Sequence, residues 1–250
     1  MRQDEKRKYL ITELLKERPE YADISIPKDE IAQKKLLRAL FNVRLPLSIG
    51  DEFLRVQDEY LQEEITQKGI TSTDDLDPVK PDMYLWQGDI TTLKCDAIVN
   101  AANSQMLGCF CPNHGCIDNA IHTFSGVQLR LKCAEIMQKQ GKTEEIGKAK
   151  ITPAYNLPCK YILHTVGPII TGKLTEKDYE LLRSCYYACL MLADEYKLNS
   201  IAFCCISTGE FHFPNEIAAK IAIETVSKYK KMTNSKIKVI FNVFKNSDYE

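Results

Sequence analysis

A basic surplus is missing from this chain. Its 33 lysines and arginines face 34 aspartates and glutamates, for a formal net charge of -1. General nucleic-acid binders carry a positive patch that neutralises phosphates, so no nucleic-acid partner is expected. Long apolar runs are missing too. None approaches the roughly 18 residues needed to span a bilayer, and the opening stretch MRQDEKRKYL lacks a signal peptide's apolar segment. These absences predict a cytoplasmic protein with no membrane partner. Histidine is scarce, with 4 in 250 residues, and the first 68 residues hold neither histidine nor cysteine. The four histidines do not form a serine- or cysteine-hydrolase set.

What is present is an ordinary globular composition, 44% hydrophobic and 27% charged, enough to bury a core. The length fits one large domain, or an average one with an extension. Ten cysteines in a reducing compartment read as free thiols or metal ligands rather than disulfides.

Two kinds of patterning divide the chain. In residues 1–81 apolar residues recur at helical spacing from about Asp4 to Arg18, Lys28 to Asn42 (Ile31, Leu36, Leu37, Leu40, Phe41) and Asp51 to Gln67. A stretch of turn formers and acids, Gly69 to Pro81, reads as a linker. From residue 82 to 250, short β-branched runs alternate with helical stretches. Met83–Trp86, Ala97–Val99, Lys150–Thr152, Tyr161–Thr165, Ser200–Cys205 and Lys236–Phe244 are expected strands. Ile117–Gln140, Glu176–Lys197 and Asn215–Lys231 are expected helices. That alternation predicts an α/β fold, a three-layer α/β/α sandwich behind a helical N-terminal extension, with ligands bound in loops beyond the strand ends.

The loop after the second of these strands carries the strongest chemical signal. Cys109, Cys111, His114 and Cys116 fall within eight residues, interrupted by proline and glycine. Thiolate and imidazole are the donors zinc favours. The alternative is a set of buried small thiols beside a surface histidine. If metal binds, four ligands would close the site, whereas Cys109, His114 and Cys116 alone would leave a position open. The spacing does not decide between these. Asp118 follows directly, either as a cap of the next helix or as a general base beside a metal. A second loop, Ile206 to Pro214, has small residues ahead of a helix and could turn backbone N–H groups toward a phosphate. Asp89 reads as a turn residue, and His122 and His164 as satisfied core histidines.

Four motifs in order then carry a resemblance: Gly88-Asp89-Ile90-Thr91, Asp96 to Asn103, His164 to Pro168, and Ile206-Ser207-Thr208-Gly209. Residues 82–250 resemble a macrodomain, the ADP-ribose-binding α/β/α fold. Where hydrolases of that family have a glycine run before a Val-Asp-Gly helix start, this chain has Cys109 to Cys116 followed by Ile117-Asp118-Asn119. That departure resembles the zinc-dependent macrodomains of microbes, often encoded beside a sirtuin-type ADP-ribosyltransferase and lipoyl-carrier proteins. The resemblance implies a hydrolase that removes mono-ADP-ribose from acidic side chains, with an ADP-ribosylated protein as partner and a lipoyl carrier as the candidate. It implies zinc (Zn2+) on Cys109, His114 and Cys116, and Asp118 with Asn103 as the catalytic pair. Asp89, Ile90 and Phe244 would hold the adenine, and Ser207, Thr208, Gly209, Glu210 and Phe211 the diphosphate. Asn103 would also hold the distal ribose. The rival reading is a non-catalytic ADP-ribose-binding module with a structural zinc.

Overall fold

The structure, a computed structural model, describes residues 1–249. Three helices open the chain: α1 (Gln3–Lys16), α2 (Glu30–Val43) and α3 (Asp51–Lys68). Asp29 caps α2 by accepting from the Ala32 N–H at 2.7 Å. Leu10, Leu14, Leu37, Leu40, Phe41, Val56 and Leu61 form the helices' shared core. Ile31, placed by its spacing on the apolar stripe of α2, is instead 73% exposed. At about 100° per residue it points to the side of α2 opposite the buried Gln33, Leu37 and Leu40.

The supposed linker is not loose. After β1 (Thr71–Ser72), β2 (Pro78–Lys80) pairs antiparallel with β3 (Met83–Gln87) at the edge of the main sheet. Short β4 (Leu93–Lys94) pairs with β1. The chain continues through β5 (Ala97–Ala102), α4 (Ile117–Ser125), α5 (Val127–Gln140), β6 (Ala149–Pro153) and β7 (Tyr161–Val166). It ends with α6 (Glu176–Glu195), β8 (Ser200–Phe203), α7 (Asn215–Thr233), β9 (Lys238–Val243) and the short α8 (Asn246–Tyr249). The single helix expected from Ile117 to Gln140 is thus two, because Gly126 at φ +96° ends α4 and opens α5.

The sheet order is β2-β3-β9-β8-β5-β7-β6. Its central strands β3, β9, β8, β5 and β7 run parallel. Every residue of β8, and all but one of β5 and of β7, is buried. Strands buried on both faces need helices on both faces, which gives the α/β/α sandwich. Parallel strands also send all their outgoing loops to one end of the sheet. The loops after β3, β5, β7, β8 and β9 therefore meet along one edge.

The extension is welded to this sandwich. Val127 of α5 lies in the core of the three helices, and Ile65 of α3 lies in the core of the sandwich. No helix among the described residues is long and apolar enough to cross a membrane.

Candidate active site at the strand ends

Asp118 is the second residue of α4 and only 5% exposed. Its position is not that of a cap, as one sequence reading had it. The cap is Cys116, whose Sγ accepts from the Asn119 N–H at 3.4 Å. The Asp118 carboxylate is held instead by side chains. Asn100 Nδ2, from within β5, donates to its Oδ1 at 2.8 Å, and Asn103 Nδ2 lies 3.4 Å from its Oδ2. Burial pushes Asp118 up to about 6, against the opposing influence of Asn100 and the more distant Arg130 guanidinium.

Around Asp118 lies a ring of buried groups. His164 Nδ1 is 3.2 Å from Asn100 Nδ2, and its Nε2 is 2.9 Å from Thr152 Oγ1. An amide donor at Nδ1 leaves the proton on Nε2, so His164 is neutral, and burial pushes it down to about 3. It is the satisfied core histidine the sequence suggested. His122 is not. Neither of its ring nitrogens has a hydrogen-bond partner, and its Nε2 lies 3.6 Å from Asp118 Oδ1. Burial, then the charge of Arg130, drives it well below the usual histidine range. Gly108, at φ +80°, is packed against this ring. A Cβ there would fall 2.7 Å from His122 Cγ.

The loop between β5 and α4 brings Cys109, His114 and Cys116 together, their ligand atoms within 4.8 Å of one another. Cys111 is exposed and outside the group. Cys109 Sγ and His114 Nδ1 are 3.6 Å apart. A tetrahedral zinc with Zn–S of about 2.3 Å and Zn–N of about 2.0–2.1 Å requires an S···N separation of about 3.6 Å. The donor set therefore fits zinc in chemistry and in this spacing. With Nδ1 turned to the sulfur, His114 Nε2 faces Glu210 Oε1 at 3.5 Å, the carboxylate-on-histidine arrangement common behind metal-bound imidazoles. Burial, ahead of the charges of Cys109 and Asp118, pushes the Cys116 thiol up to about 12. A divalent cation would reverse that preference.

Glu210 comes from the loop after β8, which carries Ser207, Thr208, Gly209 and Phe211. Two non-glycine residues there adopt positive φ, Ser207 at 65° and His212 at 57°, a strain typical of ligand loops. Thr208 folds back on Cys205 O, His212 N donates to Gly209 O, and Ser207 Oγ is buried without a partner. Phe211 O accepts from Ile170 N at 2.9 Å, tying this loop to the one after β7.

At the far end of the edge, Asp89 accepts from Thr91 N–H at 3.0 Å and Thr91 Oγ1 at 2.6 Å. Its second oxygen is 3.2 Å from Lys68 Nζ of α3. Burial alone would raise Asp89, but the Thr91 hydrogen bonds and the Lys68 ammonium outweigh it and hold the carboxyl below its usual range. The Ile90 side chain is in the core, so only its backbone can meet a ligand. Phe244 lies one residue past β9 rather than on it, and is 73% exposed.

The structure thus gathers Asn103, Cys109, His114, Cys116, Asp118 and Glu210 at one end of the edge, with Asp89 and Phe244 following neighbouring strands β3 and β9. Sequence reasoning passed over Asn100, Arg130 and Arg38, and set His122 aside as a satisfied core histidine. Asn100 stood within a quoted motif, and its place directly after the expected strand Ala97–Val99 was the available signal.

Residues 99–222 match the Macro domain family. A protein-ADP-ribose hydrolase of Treponema medium is 60% identical over 99% of this chain and 97% of its own length. A protein-ADP-ribose hydrolase of Staphylococcus aureus is 52% identical over 97% of this chain and 91% of its own. The crystal structure of a Trypanosoma brucei macrodomain in complex with ADP-ribose is 29% identical, covers 85% of this chain and 91% of its own, and superposes with a TM-score of 0.66. On that full-length likeness, this chain belongs to the Macro domain family.

Proposed function

We propose that this chain is a protein-ADP-ribose hydrolase that uses zinc to remove mono-ADP-ribose from aspartate and glutamate side chains. The hydrolase activity rests on full-length relatives of that name. The observation that carries the finer reading is the adjacency of Asp118, a buried carboxylate on two asparagine amides, to the donor set Cys109, His114 and Cys116. Those three residues would hold the ion. The exposed position of Cys111 supports a site with one coordination position left free for water or substrate.

Bound zinc would supply Lewis acidity at the distal ribose. The chain's own residues account for the rest. Asn103, whose amide lies near Asp118, orients the distal ribose. Asp118 takes a proton from a water whose oxygen bonds to C1″ as the bond from C1″ to the ester oxygen breaks. The carboxylate of the modified side chain leaves as the anion, and the proton on Asp118 passes to solvent. Backbone N–H groups of residues 207–211 hold the diphosphate, as loops ahead of helix N-termini do. Asp89 accepts from the adenine amine, and exposed Phe244 stacks on the ring. The protein partner is a mono-ADP-ribosylated protein, with a lipoyl carrier as the candidate.

Linkage tests this reading. Proteins carrying one ADP-ribose on aspartate or glutamate should release it when treated with the enzyme. The same protein modified on serine or arginine should not. Equal release from a serine linkage would contradict the acidic-side-chain specificity.

A further inference from the structure

The metal-donor loop is irregular, so its backbone groups must be satisfied from outside it. The N-terminal extension does much of this. Arg38 Nη2 donates to His114 O at 3.0 Å. Arg38 Nη2 and Nε converge on Asn119 Oδ1 at 2.8 and 3.2 Å. Asn119 then passes the restraint on, its Nδ2 donating to Cys111 O at 2.9 Å and its backbone N–H to Cys116 Sγ at 3.4 Å. One turn further along α2, Asn42 Oδ1 accepts from Asn113 N–H at 2.9 Å, and its Nδ2 donates to Thr123 Oγ1 at 3.0 Å. Residues four apart share a helix face, so α2 presents Arg38 and Asn42 together to the loop. Its Leu37, Leu40 and Phe41 anchor it in the helical core.

We infer that Arg38 is a positioning residue for the metal loop, and that α2 is structurally part of the active site. The inference rests on the zinc reading above. A planar guanidinium fixes two acceptors in one plane, which an ammonium cannot do. Here it fixes the His114 carbonyl and, through Asn119, the chain on either side of Cys116. That holds the imidazole against Cys109 before any ion arrives, so less ordering is lost on binding metal. Among the described residues Arg38 makes no hydrogen bond to the diphosphate loop or to the adenine end.

The test uses the full chain and the variants Arg38→Ala and Arg38→Lys. Zinc affinity is read by competition with a chromogenic chelator, free ADP-ribose affinity by calorimetry, and the melting temperature on the metal-free protein. Zinc affinity is expected to fall about 10- to 100-fold in Arg38→Ala, and nearly as far in Arg38→Lys, with ADP-ribose affinity unchanged. Arg38→Lys retains the charge and the aliphatic stem, so it serves if Arg38→Ala folds poorly. Zinc affinity equal to wild type in the variants, with only the metal-free melting temperature lowered, would overturn the inference and leave Arg38 a plain stabilising contact. If the wild type itself took up no zinc, the zinc reading would fail first, and the inference with it.

Discussion

The Asn100 amide donates to Asp118 Oδ1 at 2.8 Å and lies 3.2 Å from His164 Nδ1. One side chain therefore fixes both the Asp118 carboxylate and the tautomer of His164. Asn100→Ala would remove a donor from a buried carboxylate. It should destabilise the fold by about 1–3 kcal/mol and slow turnover, measured by chemical denaturation and initial rates.

Asp118→Ala should lower turnover by about 10²- to 10⁴-fold, the usual contribution of a positioned base, while free ADP-ribose binds within a few-fold of wild type. Single-turnover assays and calorimetry separate these. Equal losses in both would make Asp118 a binding or structural group.

The donor set gives an internal control. Cys109→Ser, His114→Ala and Cys116→Ser should each lose zinc and turnover together. Cys111→Ser should keep both, because its thiol is exposed and outside the group. Metal content by atomic spectroscopy reads the outcome.

Phe244 is exposed on the loop after β9, so Phe244→Ala should leave the melting temperature unchanged. Loss of one stacking partner, about 1–1.5 kcal/mol, should weaken ADP-ribose binding about five- to tenfold. An unaltered affinity would remove Phe244 from the adenine site.

Acid stability follows from His164. Its folded value, about 3, lies below the ordinary one, so on unfolding below pH of about 6.5 the residue takes up a proton. Its contribution is present above that pH and is lost as pH falls toward 3, at up to about 1.4 kcal/mol per pH unit. His164→Gln should flatten the acid limb of a stability-pH profile by about one proton. An unchanged slope would mean that the histidine is charged in the fold.

Much of the site was legible because its parts are local in sequence. The run from Cys109 to Asp118 holds metal-donor residue types and a carboxylate close together, and Asn103 and the loop of residues 206–214 follow strands that short β-branched runs locate. The parts that were hidden are tertiary. Arg38 meets His114 across 76 residues, a distance at which a surface-looking arginine on an amphipathic helix carries no local signal. The break at Gly126 was hidden because apolar spacing continues through it. Residues 69–81 looked like a linker because their turn formers outweigh the five strand residues of β1 and β2. Their pairing with β3 depends on an open sheet edge that only the fold creates.

Zinc dependence is read from ADP-ribose release from a protein mono-ADP-ribosylated on aspartate or glutamate, with and without a strong zinc chelator. Release should stop on chelation and return when zinc is added back. Release that continues undiminished after the metal has been removed would contradict that dependence.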